Sequence, residues 1–134
     1  MRVYKAPDIV LAPSSPQRIL IVDDEPLVLG LLERVLTAEG YELAKAMDGE
    51  EGLRLFGSDS WSLVITDRDM PKMDGEAMAT AIRRLDPIVP IILITGTSNV
   101  IAHRPMFDAV IEKPFTRGTL MAGVALYLTG TSRL

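Results

Sequence analysis

Five residues of this chain have the types needed to hold a cation and to handle a phosphoryl group: Asp23, Asp24, Asp67, Thr95 and Lys113. Each closes or directly follows a short apolar run. RILIV (18–22) runs into Asp23-Asp24, WSLVITD ends at Asp67, VPIILIT ends at Thr95, and AVIE leads through Glu112 to Lys113. Carboxylates brought together repel one another unless a proton or cation lies among them. A set of oxygen ligands with waters retained describes Mg²⁺. Asp24 is the better direct ligand, Asp67 supplies a second oxygen, Asp23 holds a coordinated water, and the backbone carbonyl of Asp69 completes the shell. Asp67 is then the nucleophile toward phosphorus. Lys113 and the ion neutralise charge on the transferring group, and the Thr95 hydroxyl donates to it. The product is an acyl phosphate, a reversible mark with added negative charge.

Taken singly these features are weak. An Asp-Asp pair after a strand is usually a loop or cap feature, and Thr-Gly usually starts a turn. Their succession at strand ends, in one order, carries the argument. The stretch ITDRDMPKMDG also divides its three aspartates: Asp67 reacts, Asp69 modulates, and Asp74 before Gly75 caps a helix.

The elements that must position these residues alternate in type. Apolar, β-branched runs over 18–22, 61–67, 89–95 and 109–112, with a weaker one in YELAKA, predict strands. EPLVLGLLERVLTAEG, DGEEGLRLF, GEAMATAIRRL and TRGTLMAGVALYL predict helices, with Pro26 in a first turn, Gly40 past a C-terminus and Thr116 as an N-cap. Such alternation implies an α/β fold: a doubly wound parallel sheet with helices on both faces. Ligands in such sheets bind beyond the carboxyl ends of the strands.

The chain has 134 residues, which fits one domain: an extension over 1–17, the domain over 18–130 and a tail over 131–134. A net charge of -4 argues against nucleic acid as a direct partner. With no cysteine, thiolate metal sites and cysteine nucleophiles are excluded. No run reaches membrane-span length and the N-terminus lacks a signal-peptide core, so the expectation is a cytoplasmic protein with no membrane partner.

ILIVDDEP, LVITDRDMPKMDG, IILITG and IEKPFT together resemble the receiver domain of bacterial two-component response regulators. The resemblance implies a five-stranded parallel sheet of order 2-1-3-4-5, the flavodoxin-like arrangement. It implies phosphotransfer onto Asp67 from a histidine kinase or a histidine phosphotransfer protein, with Mg²⁺ and slow self-catalysed hydrolysis, and no turnover of an external substrate. It maps the acidic pair onto Asp23 and Asp24, the switch hydroxyl onto Thr95 and the lysine onto Lys113. The module then signals by phosphorylation-dependent protein contact, serves as a phosphate sink or relay, or is the receiver of a hybrid kinase or longer regulator. Two other classes compete. One is a pseudo-receiver that binds partners without phosphorylation, against which all five site residues stand. The other is a phosphatase of the haloacid dehalogenase kind, whose Asp-x-Asp motif ITDRDMP matches only in part, because Met70 stands where Thr or Val is usual.

The sequence departs from the family in several places. Val110 occupies the position of the switch aromatic. The interval between Thr95 and Lys113, with Pro105 inside it, predicts a short or irregular fourth helix carrying a solvent-facing His103. The last helix has no charge between Arg117 and Arg133. Leu120, Val124, Tyr127 and Leu128 are expected to face the core, and Met121, Ala122, Ala125 and Leu126 to point outward, covered by a second copy of the chain or by the N-terminal DIVLAP. In the first helix Val28, Leu31, Leu32, Val35 and Leu36 are the expected core face, which leaves Leu27 and Leu29 outward, where a receiver meets its kinase. Arg68, Asp69 and Thr97 are expected to tune phosphoryl lifetime. An added carboxylate at Asp69 disfavours anionic phosphodonors, and Arg68 offsets it.

Overall fold

Five apolar runs form five strands because both faces of the sheet are covered, so every strand residue needs an apolar or well-partnered side chain. The computed structural model describes residues 16–96 and 105–128. Its elements follow as β1 (Arg18–Val22), α1 (Pro26–Ala38), β2 (Glu42–Ala46), α2 (Gly49–Gly57), β3 (Leu63–Asp67), α3 (Gly75–Leu85), β4 (Ile91–Thr95), β5 (Ala109–Glu112) and α4 (Arg117–Leu128). The strands pair in the order β2-β1-β3-β4-β5, all parallel. This is the expected doubly wound arrangement.

Period-2 alternation sends successive strand residues into two cores. Ile19, Ile21, Leu63 and Ile65 pack with Leu29, Leu32 and Leu36 of α1 and Leu120, Val124 and Leu128 of α4. Leu20, Val22 and Val64 pack on the other face with Phe56 of α2 and Met78, Ala79 and Ile82 of α3. Both cores end at the strand termini, which places β1, β3, β4 and β5 side by side where Asp23, Asp67, Thr95 and Lys113 follow.

The helices start where the sequence supplies caps. Asp48 Oδ1 accepts from the Glu51 N–H at 2.8 Å, Asp74 Oδ1 from the Ala77 N–H at 2.8 Å, and Thr116 Oγ1 from the Thr119 N–H at 3.0 Å. Gly40 has φ +95°, the left-handed backbone that a glycine past a helix end adopts at low cost. Trp61 and Ser62 precede β3 rather than belonging to it.

Two expectations about helix faces are corrected. Leu29 points inward, 5% exposed, while Leu31 is 39% exposed and Leu27 89%. The buried stripe is Leu29, Leu32, Val35 and Leu36, so α1 keeps three of the expected core residues and buries Leu29 in place of Leu31. Leu27 and Leu31, four apart, share the outer face. On α4, Met121 is half-buried against the core instead of outward, and Tyr127 is only half-buried, its hydroxyl donating to the Asp108 carbonyl at 2.7 Å. Leu126 and Ala122 are exposed as expected. The proposed fourth helix, Thr97, His103, DIVLAP and the tail lie outside the described residues.

Candidate functional site

Asp23 follows β1, and its N–H donates to the Ala46 carbonyl at 3.1 Å, which extends the β1–β2 pairing by one residue. The residue is 1% exposed. Oδ1 accepts from the Glu25 N–H at 2.9 Å, so the turn into α1 folds around the carboxylate. Asp67 ends β3 with 9% exposure, and its Oδ1 accepts from the Arg68 N–H at 2.8 Å. Asp24 completes the acidic group: Asp23, Asp24 and Asp67 each present an oxygen within 4.8 Å of the others.

Lys113 reaches this group from β5. Its N–H donates to the Thr95 carbonyl at 2.9 Å, which ties the lysine backbone to the end of β4. Its Nζ lies 3.4 Å from Asp23 Oδ2, 3.4 Å from Asp67 Oδ1 and 3.3 Å from Glu25 Oε1. Thr95 is buried at the end of β4, one strand from Asp67. Val110 lies half-buried in β5 opposite Leu93.

The electrostatics follow from one ammonium among several carboxylates. Burial pushes Asp23 up to about 6; the Glu25 N–H opposes this, the charge of Asp67 adds to it, and Lys113 opposes it. Burial likewise raises Asp67, against the pull of the Arg68 N–H and Lys113. Burial alone lowers Lys113, but Asp23, Asp67 and Glu25 together outweigh it and hold the ammonium above its ordinary value. Two acids that resist ionisation beside a held cation mark a site short of positive charge. Carboxylate oxygens only, clustered and under-neutralised, are the donor set a hard divalent ion completes. The residues present therefore fit Mg²⁺.

A pH dependence follows for the chelated protein. An acid whose folded pKa lies above its unfolded value binds more protons when folded, so the stability it confers is present at low pH and lost as pH rises through about 6. Urea unfolding in EDTA is expected to show stability falling between about pH 4 and 6, and Asp23→Asn is expected to flatten that fall. A pH dependence equally steep in the variant contradicts the assignment to Asp23.

The structure brings together Asp23, Asp24, Asp67 and Lys113 and sets Thr95 on the adjoining strand. The Asp69 carboxylate stays outside the cluster, with a side chain 77% exposed and 3.9 Å from Arg68 Nη1. Arg68 also approaches Glu76, Nε to Oε2, at 3.5 Å. Sequence reasoning missed two residues. Glu25 contacts Lys113, and its signal was a glutamate standing between the acidic pair and Pro26, where a helix N-cap is normally Ser, Thr, Asp or Asn. Gly75 backs the nucleophile: a Cβ there would lie 2.1 Å from the Asp67 carbonyl oxygen.

Comparison with known proteins agrees with this geometry. Residues 19–125 match the model of the response regulator receiver domain family. The transcriptional regulatory protein PrrA of Mycobacterium tuberculosis is 36% identical over 115 residues, covering 83% of this chain and 49% of PrrA. The transcriptional regulatory protein GlrR of Escherichia coli is 40% identical over 95 residues, covering 71% of this chain and 20% of GlrR. The chain thus spans about half the length of PrrA and a fifth of GlrR. Among solved structures, a CheY-like receiver domain protein from Methanospirillum hungatei has TM-score 0.81 at 29% identity, covering 89% of this chain and 98% of its own. The response regulator TrrA of Thermotoga maritima, in complex with Mg²⁺ and BeF, has TM-score 0.79 at 38% identity, covering 84% and 99%.

Proposed function

The chain belongs to the response regulator receiver domain family, and from that premise we propose that it accepts a phosphoryl group on Asp67 from a phosphohistidine and signals by the change in charge that follows. The observation that carries this reading is the Lys113 ammonium 3.4 Å from the Asp67 carboxylate, inside the acidic cluster with Asp23 and Asp24. Asp67 is held by the Arg68 N–H and Lys113, so its carboxylate is oriented before the donor arrives. One P–O bond forms to Asp67 as the P–N bond of phosphohistidine breaks. The bonding pair returns to the imidazole nitrogen, which leaves with the donor protein. Lys113 balances charge on the phosphoryl oxygens, and the Thr95 hydroxyl donates to one of them. Asp24 and Asp67, with Asp23 behind them and the Asp69 carbonyl, would hold Mg²⁺. When bound, the ion offsets the negative charge of the transferring phosphoryl group. Arg68 and Asp69, which follow the acceptor directly in the chain, and Thr97, which lies outside the described residues, are assigned the tuning of the acyl-phosphate lifetime. Hydrolysis returns the resting state, with no external substrate turned over.

The donor is a histidine kinase or histidine phosphotransfer protein, and its docking surface lies beside the lysine. Val28, Leu31, Pro114 and Phe115 line an apolar groove that reaches Lys113, and the exposed Leu27 stands one helical turn before Leu31. A helix laid in this groove would bring its histidine toward Asp67. Leu31→Glu is expected to slow transfer from a phosphorylated kinase about tenfold or more, and to slow uptake from a small phosphodonor far less. Equal slowing of both would remove the groove from the account. This reading replaces Leu29 with Leu31 on the partner face and keeps Leu27.

PrrA and GlrR are named as transcriptional regulators, so a longer protein built on this module could deliver its output through DNA; a phosphate sink or relay is the alternative. A homodimer through α4 would rest on Leu126 and its neighbours, with Met121 largely committed to the core. Among the described residues no helix is long and apolar enough to cross a membrane. Intact mass tests the reading. Incubation with acetyl phosphate and Mg²⁺ is expected to add one phosphoryl group, and EDTA or Asp24→Asn to slow the gain at least about a hundredfold. Gain at an unchanged rate in EDTA would sink it.

A further inference from the structure

Glu25 stands at the N-cap of α1, yet its side chain makes no capping hydrogen bond. Its backbone is fixed: the N–H donates to Asp23 Oδ1 at 2.9 Å, and its carbonyl accepts from Val28 and Leu29 at 3.1 Å. The side chain, 60% exposed, turns instead to Lys113, with Oε1 3.3 Å from Nζ. The ammonium is therefore shared between two buried carboxylates and one exposed one at the mouth of the site. The buried pair cannot withdraw, because Asp23 and Asp67 sit at strand ends. Glu25 can, since its exposed carboxylate accepts from Lys113, whereas those of Asp23 and Asp67 are each also held by a backbone N–H.

We propose that Glu25 is a positioning residue that draws Lys113 away from the acceptor carboxylate in the resting site and slows phosphoryl uptake until the incoming phosphoryl oxygens displace it. This rests on the reading of Asp67 as the acceptor. An incoming phosphoryl group brings anionic oxygens to the space that Lys113 serves, and Glu25 competes with them for the same ammonium. A half-exposed ion pair of this kind shifts an equilibrium by a small factor, about two- to fivefold. The glutamate also adds negative charge where an anionic donor enters, so the local contact must be separated from the general field.

A double-mutant cycle makes that separation. Uptake from acetyl phosphate with Mg²⁺ is followed by intact mass for wild type, Glu25→Gln, Lys113→Met and the double variant. The glutamine keeps the backbone contacts, and urea unfolding checks that the fold is unchanged. The expected result is uptake about two- to fivefold faster in Glu25→Gln, with the gain absent when Lys113 is methionine. Asp69→Asn serves as the comparison, an exposed carboxylate without a contact to Lys113, whose gain is expected to persist in the Lys113→Met background. A Glu25→Gln rate equal to wild type overturns the proposal, and so does a gain that survives Lys113→Met. The parent reading fails separately, if Asp67→Asn takes up the phosphoryl group at the wild-type rate.

Discussion

Lys113→Ala is expected to destabilise the metal-free protein by about 3 kcal/mol at pH 8 and by much less at pH 5.5. The lysine is the one cation within 4 Å of Asp23 and Asp67 among the described residues. Removing it leaves two buried carboxylates facing each other and Asp24. At low pH the cluster answers by taking up protons, since Asp23 already titrates near 6 with the lysine present. Without the lysine its folded pKa rises further, so the folded state keeps its protons to higher pH. The sign is that of a raised acid: stability present at low pH and lost as pH rises. Mg²⁺ is expected to restore much of the loss at pH 8, because a ligand of the folded state stabilises it by mass action. Urea unfolding at both pH values, with EDTA or Mg²⁺, measures this. An equal loss at both pH values would mean that the lysine matters through its aliphatic stem rather than its charge.

Gly75→Ala is expected to cost about 3 kcal/mol and to disable the site in the molecules that still fold. A Cβ at Gly75 would meet the Asp67 carbonyl oxygen at 2.1 Å and Arg68 Cα at 3.1 Å. These are backbone atoms at the end of a central strand, and they cannot rotate aside as a side-chain tip can. The Gly75 N–H also donates to the Arg68 carbonyl at 2.8 Å, closing the loop from β3 to α3. Pushing α3 outward breaks that bond and disturbs the Arg68 N–H that orients Asp67. Gly30 supplies the contrast. It lies in α1 with nothing within 4 Å of its added Cβ, so Gly30→Ala is expected to stabilise by about 0.5–1 kcal/mol through helix propensity. Urea midpoints for the two variants should move in opposite directions. A mild effect at Gly75 would mean that the loop yields more easily than its contacts imply.

The strands and their order were legible because the sheet is covered on both faces. RILIV, LVITD and IILIT are continuous apolar runs whose ends coincide with the polar residues that matter. The Asp74 cap was equally legible, since its mechanism is local. The setting of α1 was not. Leu27, Val28, Leu29, Leu31 and Leu32 are apolar nearly all round the first turns, so periodicity gives little direction, and the buried stripe is chosen by how α1 lies on β1 and β2. The Glu25–Lys113 contact was hidden for another reason. It joins residues 88 apart in the chain, and only the approach of the β5 end to the turn before α1 brings them together. Gly75 read as a helix-start residue, because a close approach to Asp67 leaves no trace in composition. Among the site residues, legibility therefore tracked sequence-local causes, and the misses were tertiary.

The account turns on which carboxylate carries the phosphoryl group. After incubation with acetyl phosphate and Mg²⁺, borohydride reduces an aspartyl phosphate to homoserine, and peptide mass spectrometry locates the converted residue. Conversion is expected at Asp67, with Asp23, Asp24, Asp69 and Asp74 intact and no conversion in Asp67→Asn. Homoserine at any of those other aspartates, or conversion at the wild-type level in Asp67→Asn, would contradict the assignment.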